Sequence, residues 1–206
     1  MQKYALPFSR RKFLKQTAGA AILTPGIINS ELAHAQGSNL EYQPLAPELK
    51  VPYWIDGNGD EMKPVTLAQH TNKWVFLKCF QNWCPGCHAS GFPALQKIVK
   101  TFGTSHEKIA FAAIQTTFEG HYTNNKAALR PLQLRYKSPI PFGHDAGDPD
   151  LPNDNPAHYP NTMRDFSTRG TPWIIVISPS GHVAYGNFHI NIDALIDYLK
   201  EDFAKA

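Results

Sequence analysis

The sequence predicts an α/β sandwich, a sheet with helices packed on both of its faces. Three observations carry that prediction. Short apolar runs rich in strand formers recur along the chain: "WVFLKCF" at 74–80, "KIAFAAI" at 108–114 and "WIIVI" at 173–177. Between and after them, apolar residues fall at helical spacing, as Phe92, Leu95, Val99 and Phe102, and again as Ile192, Leu195, Ile196, Leu199 and Phe203. At 206 residues, with 42% hydrophobic and 18% charged residues, the chain has material for one ordinary core and is not disordered in composition.

In chain order, residues 1–35 are an address. "SRRKFLK" (9–15) precedes the apolar, small-residue run "TAGAAILTPGII" and then "AHA" at 33–35. A charged start, a short apolar stretch and an A-x-A-like end make a secretory signal peptide. The run of about a dozen residues is too short for a bilayer, which takes roughly 20, and Pro25-Gly26 breaks it as a helix. The twin arginines Arg10 and Arg11 resemble the motif read by the Tat translocon, a receptor-read address and not an anchor. Cleavage after Ala35 leaves a mature chain, not membrane-spanning, in the periplasm, where disulfides persist.

Residues 36–45 form a polar lead-in, and the folded domain is expected over 46–206. "DGNGD" between two short apolar runs predicts an N-terminal β-hairpin. The first strong strand runs straight into "NWCPGCH" (82–88), followed by a helix that Gly103 stops. Residues 124–137 are helical in composition, with a kink or break expected at Pro131. "PIPFGHDAGDPDLPNDNPAHYP" (139–160) has little periodicity, and a long loop of this kind is often functional. "TMRDFSTRG" predicts a short helix, and 172–186 a strand, a Pro-Ser-Gly turn and a strand, before the closing helix.

Charge excludes one function class. Of the 20 Lys and Arg, five lie in residues 1–35, and of the 17 acids, one does, so residues 36–206 hold 15 basic and 16 acidic residues. No basic field for nucleic acid remains there.

The chemistry concentrates in Cys84 and Cys87. A two-residue gap places both sulfurs on the first turn of one helix, where they can close an intramolecular disulfide. Cys84 at the helix start faces unpaired backbone N–H groups and the positive end of the dipole, which favour thiolate. Pro85 fits the first turn, where a missing N–H costs nothing, and Cys87, one turn in, is the expected resolving thiol. A zinc site needs two further Cys or His ligands at suitable spacing; no second C-x-x-C or H-x₃-H is present, and His88 faces another side of the helix. An inert structural disulfide is the other alternative. Cys79, inside an apolar strand, is expected to be a buried, inert thiol.

Residues 46–206 resemble the periplasmic TlpA/ResA-type thiol–disulfide oxidoreductases of the thioredoxin-like fold, related to the peroxiredoxin-like superfamily. The resemblance rests on "APELKVPYWIDGNGDEMKPVTL", on a core strand entering Trp83-Cys84-Pro85-Gly86-Cys87, and on "MRDFSTRGTPWIIVISPSGHVAYG". It implies a three-layer sandwich with a central mixed sheet and the hairpin as an N-terminal extension. It also implies a redox-active Cys84–Cys87 disulfide that exchanges electrons with protein thiols and disulfides, more as reductant than oxidant, without a cofactor or metal. Trp83, Thr171 and a cis Pro172 are the implied docking elements, and the expected partners are protein substrates and a membrane electron-donor protein.

Three departures from the family bear on the site. Pro93 comes six residues after Cys87 where five is usual, so the helix kink is expected to shift by one. The residue six before Cys84 is Lys78, where thioredoxin has an aspartate; either it points at the sulfurs and tunes them, together with Pro85 and Gly86, or it faces solvent at a strand margin. The 143–161 segment is longer than the family's, and His144 and Asp145, at a strand end within it, either line the site or are structural. Two other functions compete: a peroxide reductase, disfavoured because the Pro-x-x-x-Thr-x-x-Cys loop is missing, and a copper-binding thiol chaperone using His144 or His182, disfavoured because such proteins use a three-residue gap.

Overall fold

The computed structural model describes residues 43–205. The expected leader, with Arg10, Arg11 and the Ala35 cleavage point, lies outside the described residues, as does most of the lead-in. Seven strands form one mixed sheet in the order β2-β1-β5-β4-β3-β6-β7. They are β1 (Tyr53–Ile55), β2 (Glu61–Met62), β3 (Trp74–Phe80), β4 (Ile109–Thr117), β5 (Phe142–Ala146), β6 (Trp173–Ile177) and β7 (Val183–Asn187). The helices are α1 (Phe92–Phe102), α2 (Leu129–Arg135), α3 (Asn161–Asp165) and α4 (Ile192–Lys205).

β3 lies at the sheet's interior, parallel to β4 and antiparallel to β6. All seven of its residues are buried, which is why its sequence is a continuous apolar run and not an alternation. Trp74, Phe76 and Phe80 point to one core with Phe92, Leu95, Ile98 and Val99 of α1 and Leu195, Ile196 and Leu199 of α4. Burying each such side chain contributes about 1.5–3 kcal/mol. Val75, Leu77 and Cys79 point to a second core with Leu49, Phe166 and Trp173. The β3–β4 and β4–β5 pairs are parallel, so each needs a crossover helix, α1 and then α2. The short α3 covers the opposite face, and the expected sandwich stands.

Two expectations are corrected. Pro131 does not break its helix: α2 begins at Leu129, so the proline is the third helical residue, where the N–H has no intrahelical partner to lose. And 139–160, expected as a long loop with a strand end at His144 and Asp145, holds a full strand. Its first part is β5, an inner strand between β1 and β4. β5 escapes pattern reading because Gly143 leaves room for the fully buried Trp54 indole, and a Cβ there would lie 3.1 Å from that ring. Polar His144 and Asp145 fill its next two positions. The rest of the segment folds back on itself, with Asp148 N–H donating to Ala157 O at 2.9 Å.

The N-terminal hairpin forms β1 and β2 as expected, α1 ends at Gly103 (φ 78°), and the 173–187 hairpin closes the other edge. Leu45 bridges His182, and Ala46 N–H donates to Gly181 O at 2.8 Å, so packing begins slightly before residue 46.

Candidate active site

The end of β3 places the cysteines. After Phe80 the chain turns through Gln81, Asn82 and Trp83, held by Asn82 N–H donating to Asn124 Oδ1 at 2.6 Å. Cys84 N–H donates to Gln81 O at 3.2 Å, and Cys87 and His88 N–H groups both turn back to Cys84 O. Helical backbone begins at Pro85, so Cys84 caps the helix from outside and its sulfur faces the free N–H groups. Cys87 N–H donates to Cys84 Sγ at 3.3 Å, the contact that a thiolate at a helix start exploits.

From Cys87 to Gly91 the helix is a π-turn, closed by Phe92 N–H donating to Cys87 O. The offset of Pro93 by one residue thereby finds its physical form. Proline at 93 removes an N–H and crowds the carbonyl four residues back, and one wide turn accommodates both. Beyond it α1 continues in register with the core.

Opposite the pair stands Thr171-Pro172, and its peptide bond is cis. Cys84 Sγ donates to Thr171 O at 3.4 Å. A Cβ on Gly86 would lie 3.1 Å from Pro172 Cδ, so the Pro85-Gly86 turn sits against this loop. Trp83 flanks Cys84 on the outside, 48% exposed, with its indole beside Gly120.

The two thiols sit in different environments. Cys84 is 6% exposed and Cys87 is fully buried. Burial pushes the Cys84 thiol up, but hydrogen bonding with the Thr171 side chain and with Cys87, together with the Lys78 charge, prevails, and its net direction is down. Burial raises Cys87 to about 11, against the pull of Lys78 and with Cys84 adding to the rise. Both thiols, and that of Cys79, are free in this structure. Cys79 points to the other core and burial pushes it to about 12, so it is the inert thiol expected.

Lys78 resolves the choice left open by the sequence. It is fully buried, and its Nζ donates to Cys79 O at 3.0 Å. The space for it is made by Gly91, where a Cβ would come closer than 3.0 Å to both Lys78 Cε and Nζ. Burial lowers the Lys78 pKa, while Cys87, Cys79 and Cys84 act to raise it.

Other expected residues stand apart. Asp145 accepts from Asn161 N–H and Thr162 N–H (3.2 and 2.7 Å) and so caps α3, a structural role. His144 Nδ1 pairs with Gln115 Oε1 at 2.7 Å, and His182 lies in the turn before β7. Among the described residues no three His, Cys, Asp or Glu side chains gather as metal ligands, and no helix is long and apolar enough to cross a membrane. Sequence reasoning missed Gly91, Asn124 and Tyr136. His88 Nε2 lies 2.6 Å from Asn82 O, which can only accept, so Nε2 carries the proton. His88 Nδ1 lies 2.6 Å from Tyr136 Oη, and Tyr136 stacks on Phe92 at 4.2 Å. This brace fixes the first turn from outside.

A strand running into C-P-G-C at a helix start, facing a cis-proline loop across a mixed sheet, decides the architecture. The fold is thioredoxin-like. No protein-family model matches the chain, and no curated protein does. A solved thioredoxin-like superfamily protein is 28% identical, with a TM-score of 0.63, covering 75% of this chain and 92% of that one. A thiol-disulfide isomerase from Corynebacterium glutamicum is 24% identical, with a TM-score of 0.63 and coverage of 78% and 97%. A thio-disulfide isomerase from Thermus thermophilus is 22% identical, with a TM-score of 0.51 and coverage of 76% and 93%. The latter two bear on the fold alone.

Proposed function

We propose that this chain is a thiol–disulfide oxidoreductase of the TlpA/ResA type that exchanges electrons with protein thiols and disulfides through Cys84 and Cys87. The observation that carries the reading is the asymmetry of the pair beneath the Thr171-Pro172 loop: one thiol pushed down at the helix cap, its neighbour buried and held at about 11. In one direction the Cys84 thiolate attacks a substrate disulfide, and Cys87 resolves the mixed disulfide, leaving Cys84–Cys87 oxidised. Run backwards, the same steps oxidise a substrate dithiol. Trp83 and the backbone of Thr171 form the docking rim for an extended substrate segment.

The working place we propose is the periplasm, reached by the Tat route through Arg10 and Arg11 with cleavage after Ala35, and the upstream partner is a membrane electron donor. The leader supports the first, and the resemblance supports the second. The proposed direction is that of a reductant, on the resemblance. Lys78 opposes it, because a cation beside a thiolate stabilises the reduced pair and raises the potential.

The experiment is a Cys87→Ala trap expressed with its leader, which should accumulate mixed disulfides through Cys84 that Cys84→Ala abolishes. No adducts, or adducts independent of Cys84, would end the reading. A potential near about −120 mV, in the range of a strong oxidant, overturns the reductant direction.

A further inference from the structure

Lys78 is a buried amine whose Nζ donates to Cys79 O at 3.0 Å and that has no permanent anion among the described residues. Across the sheet its neighbours are Ala113 and Ile174. The Phe92 ring lies 5.9 Å from Nζ, and Gly91 and Pro172 pack together above it. Among the described residues no carboxylate pairs with it; the salt bridges are Lys50–Asp165 and Lys97–Asp193. The titratable groups that act on it are Cys87, Cys79 and Cys84. Burial keeps Cys79 and Cys87 protonated, at about 12 and about 11, and Cys84 alone is pushed down. Among the described residues the anion acting on Lys78 is therefore the Cys84 thiolate, which exists only while the pair is reduced. An ammonium left buried without an anion is strongly disfavoured and sheds its proton instead.

We propose that Lys78 is the proton carrier of the cysteine pair, an ammonium while Cys84 is a thiolate and a neutral amine once the Cys84–Cys87 disulfide has formed. The inference rests on the thiol–disulfide reading above. Cys84 Sγ⁻ attacks a substrate R–S–S–R′, forming Cys84–S–S–R and releasing R′–S⁻. The negative charge leaves the site, and the Lys78 proton follows it through solvent to give R′–SH. The free amine then takes the Cys87 proton, and the Cys87 thiolate attacks Cys84 Sγ. The intramolecular disulfide closes, and R–S⁻ departs and receives the second proton from Lys78. One substrate disulfide has become two thiols and the chain's dithiol has become a disulfide. Two electrons are transferred, with one proton drawn from Cys87 and one from Lys78.

The test counts protons through the pH dependence of the redox equilibrium with dithiothreitol. It is read between the Cys84 transition, located for each protein by thiolate absorbance, and that of dithiothreitol. Dithiothreitol gives up two protons with its two electrons in that window. If Lys78 carries one of the protons taken up, the wild-type equilibrium constant is flat with pH. In Lys78→Met it changes about tenfold per pH unit, because only Cys87 takes up a proton. A wild-type constant that also changes tenfold, or a variant that stays flat, overturns the proposal. Should Lys78→Met not fold, the Lys78 Cε chemical shift of the wild type decides. A charged amine in the reduced protein and a neutral one in the oxidised supports the proposal, and the same state in both overturns it. A chain that reaches no equilibrium with dithiothreitol fails the underlying thiol–disulfide reading, an outcome distinct from either slope.

Discussion

Alkylation of the fully reduced, native protein tests the division of labour between the thiols. The perturbation is a trickle of iodoacetamide at pH 7. Reaction requires thiolate, and its fraction is set by each thiol's pKa. For Cys87, at about 11, roughly one molecule in ten thousand is thiolate at that pH. Cys84 lies below the ordinary 9.0, so at least about one in a hundred is. The ratio is at least about 100 in favour of Cys84. Nucleophilicity works against it, because thiolates of higher pKa attack faster, with a Brønsted slope of about 0.4–0.5. Over this interval that returns a factor of about eight, leaving Cys84 ahead by about tenfold. Tenfold is a floor, since Cys87 is fully buried while Cys84 retains 6% exposure. Peptide mapping over time should therefore show Cys84 labelled first and Cys79, near 12 and buried, last. Equal rates at Cys84 and Cys87, or Cys87 labelled first, would refute the assignment of attacking and resolving thiols.

Two further outcomes follow from packing and titration. Gly91→Ala places a methyl against Lys78 Cε and Nζ and should cost about 1–3 kcal/mol in urea unfolding, less the gain of under about 1 kcal/mol from helix propensity. Combining it with Lys78→Ala should recover part of that loss, and strict additivity of the two would show that they do not meet. His144 is held down to about 4 by burial, with Lys126 and His121 adding. Its folded pKa lies below the unfolded 6.5, so the unfolded chain binds the extra proton, and stability falls as pH drops from about 6.5 to about 4. The loss from this group is at most about 3 kcal/mol before solvent screening reduces it. His144→Gln, followed by urea unfolding across that range, should flatten the limb, and an unchanged slope would show that the imidazole titrates normally.

Residues whose environment is fixed by neighbours in sequence were legible, and those fixed by neighbours in space were not. β3, β4 and β6 announce themselves because an interior strand must be apolar on both faces. The Cys84-Pro85-Gly86-Cys87 turn shows its chemistry because cap, proline and sulfur spacing all lie within four residues. β5 is the counterexample. Its strand character resides in Trp54, which needs Gly143 for space, and in α3, which needs the Asp145 carboxylate to cap it, and neither partner is adjacent. Lys78 shows the same division more sharply. Its place in a buried run left two opposite orientations open, and the residue that decides between them is Gly91, thirteen positions later, whose missing Cβ leaves space for the ammonium. The extra residue before Pro93 could be counted in the sequence, but its conversion into a π-turn could not. Gly91 ends that turn and lies against the lysine, while Phe92 next to it enters the core. The π-turn and the space for the lysine therefore meet at Gly91, and a variant that alters either should disturb the other.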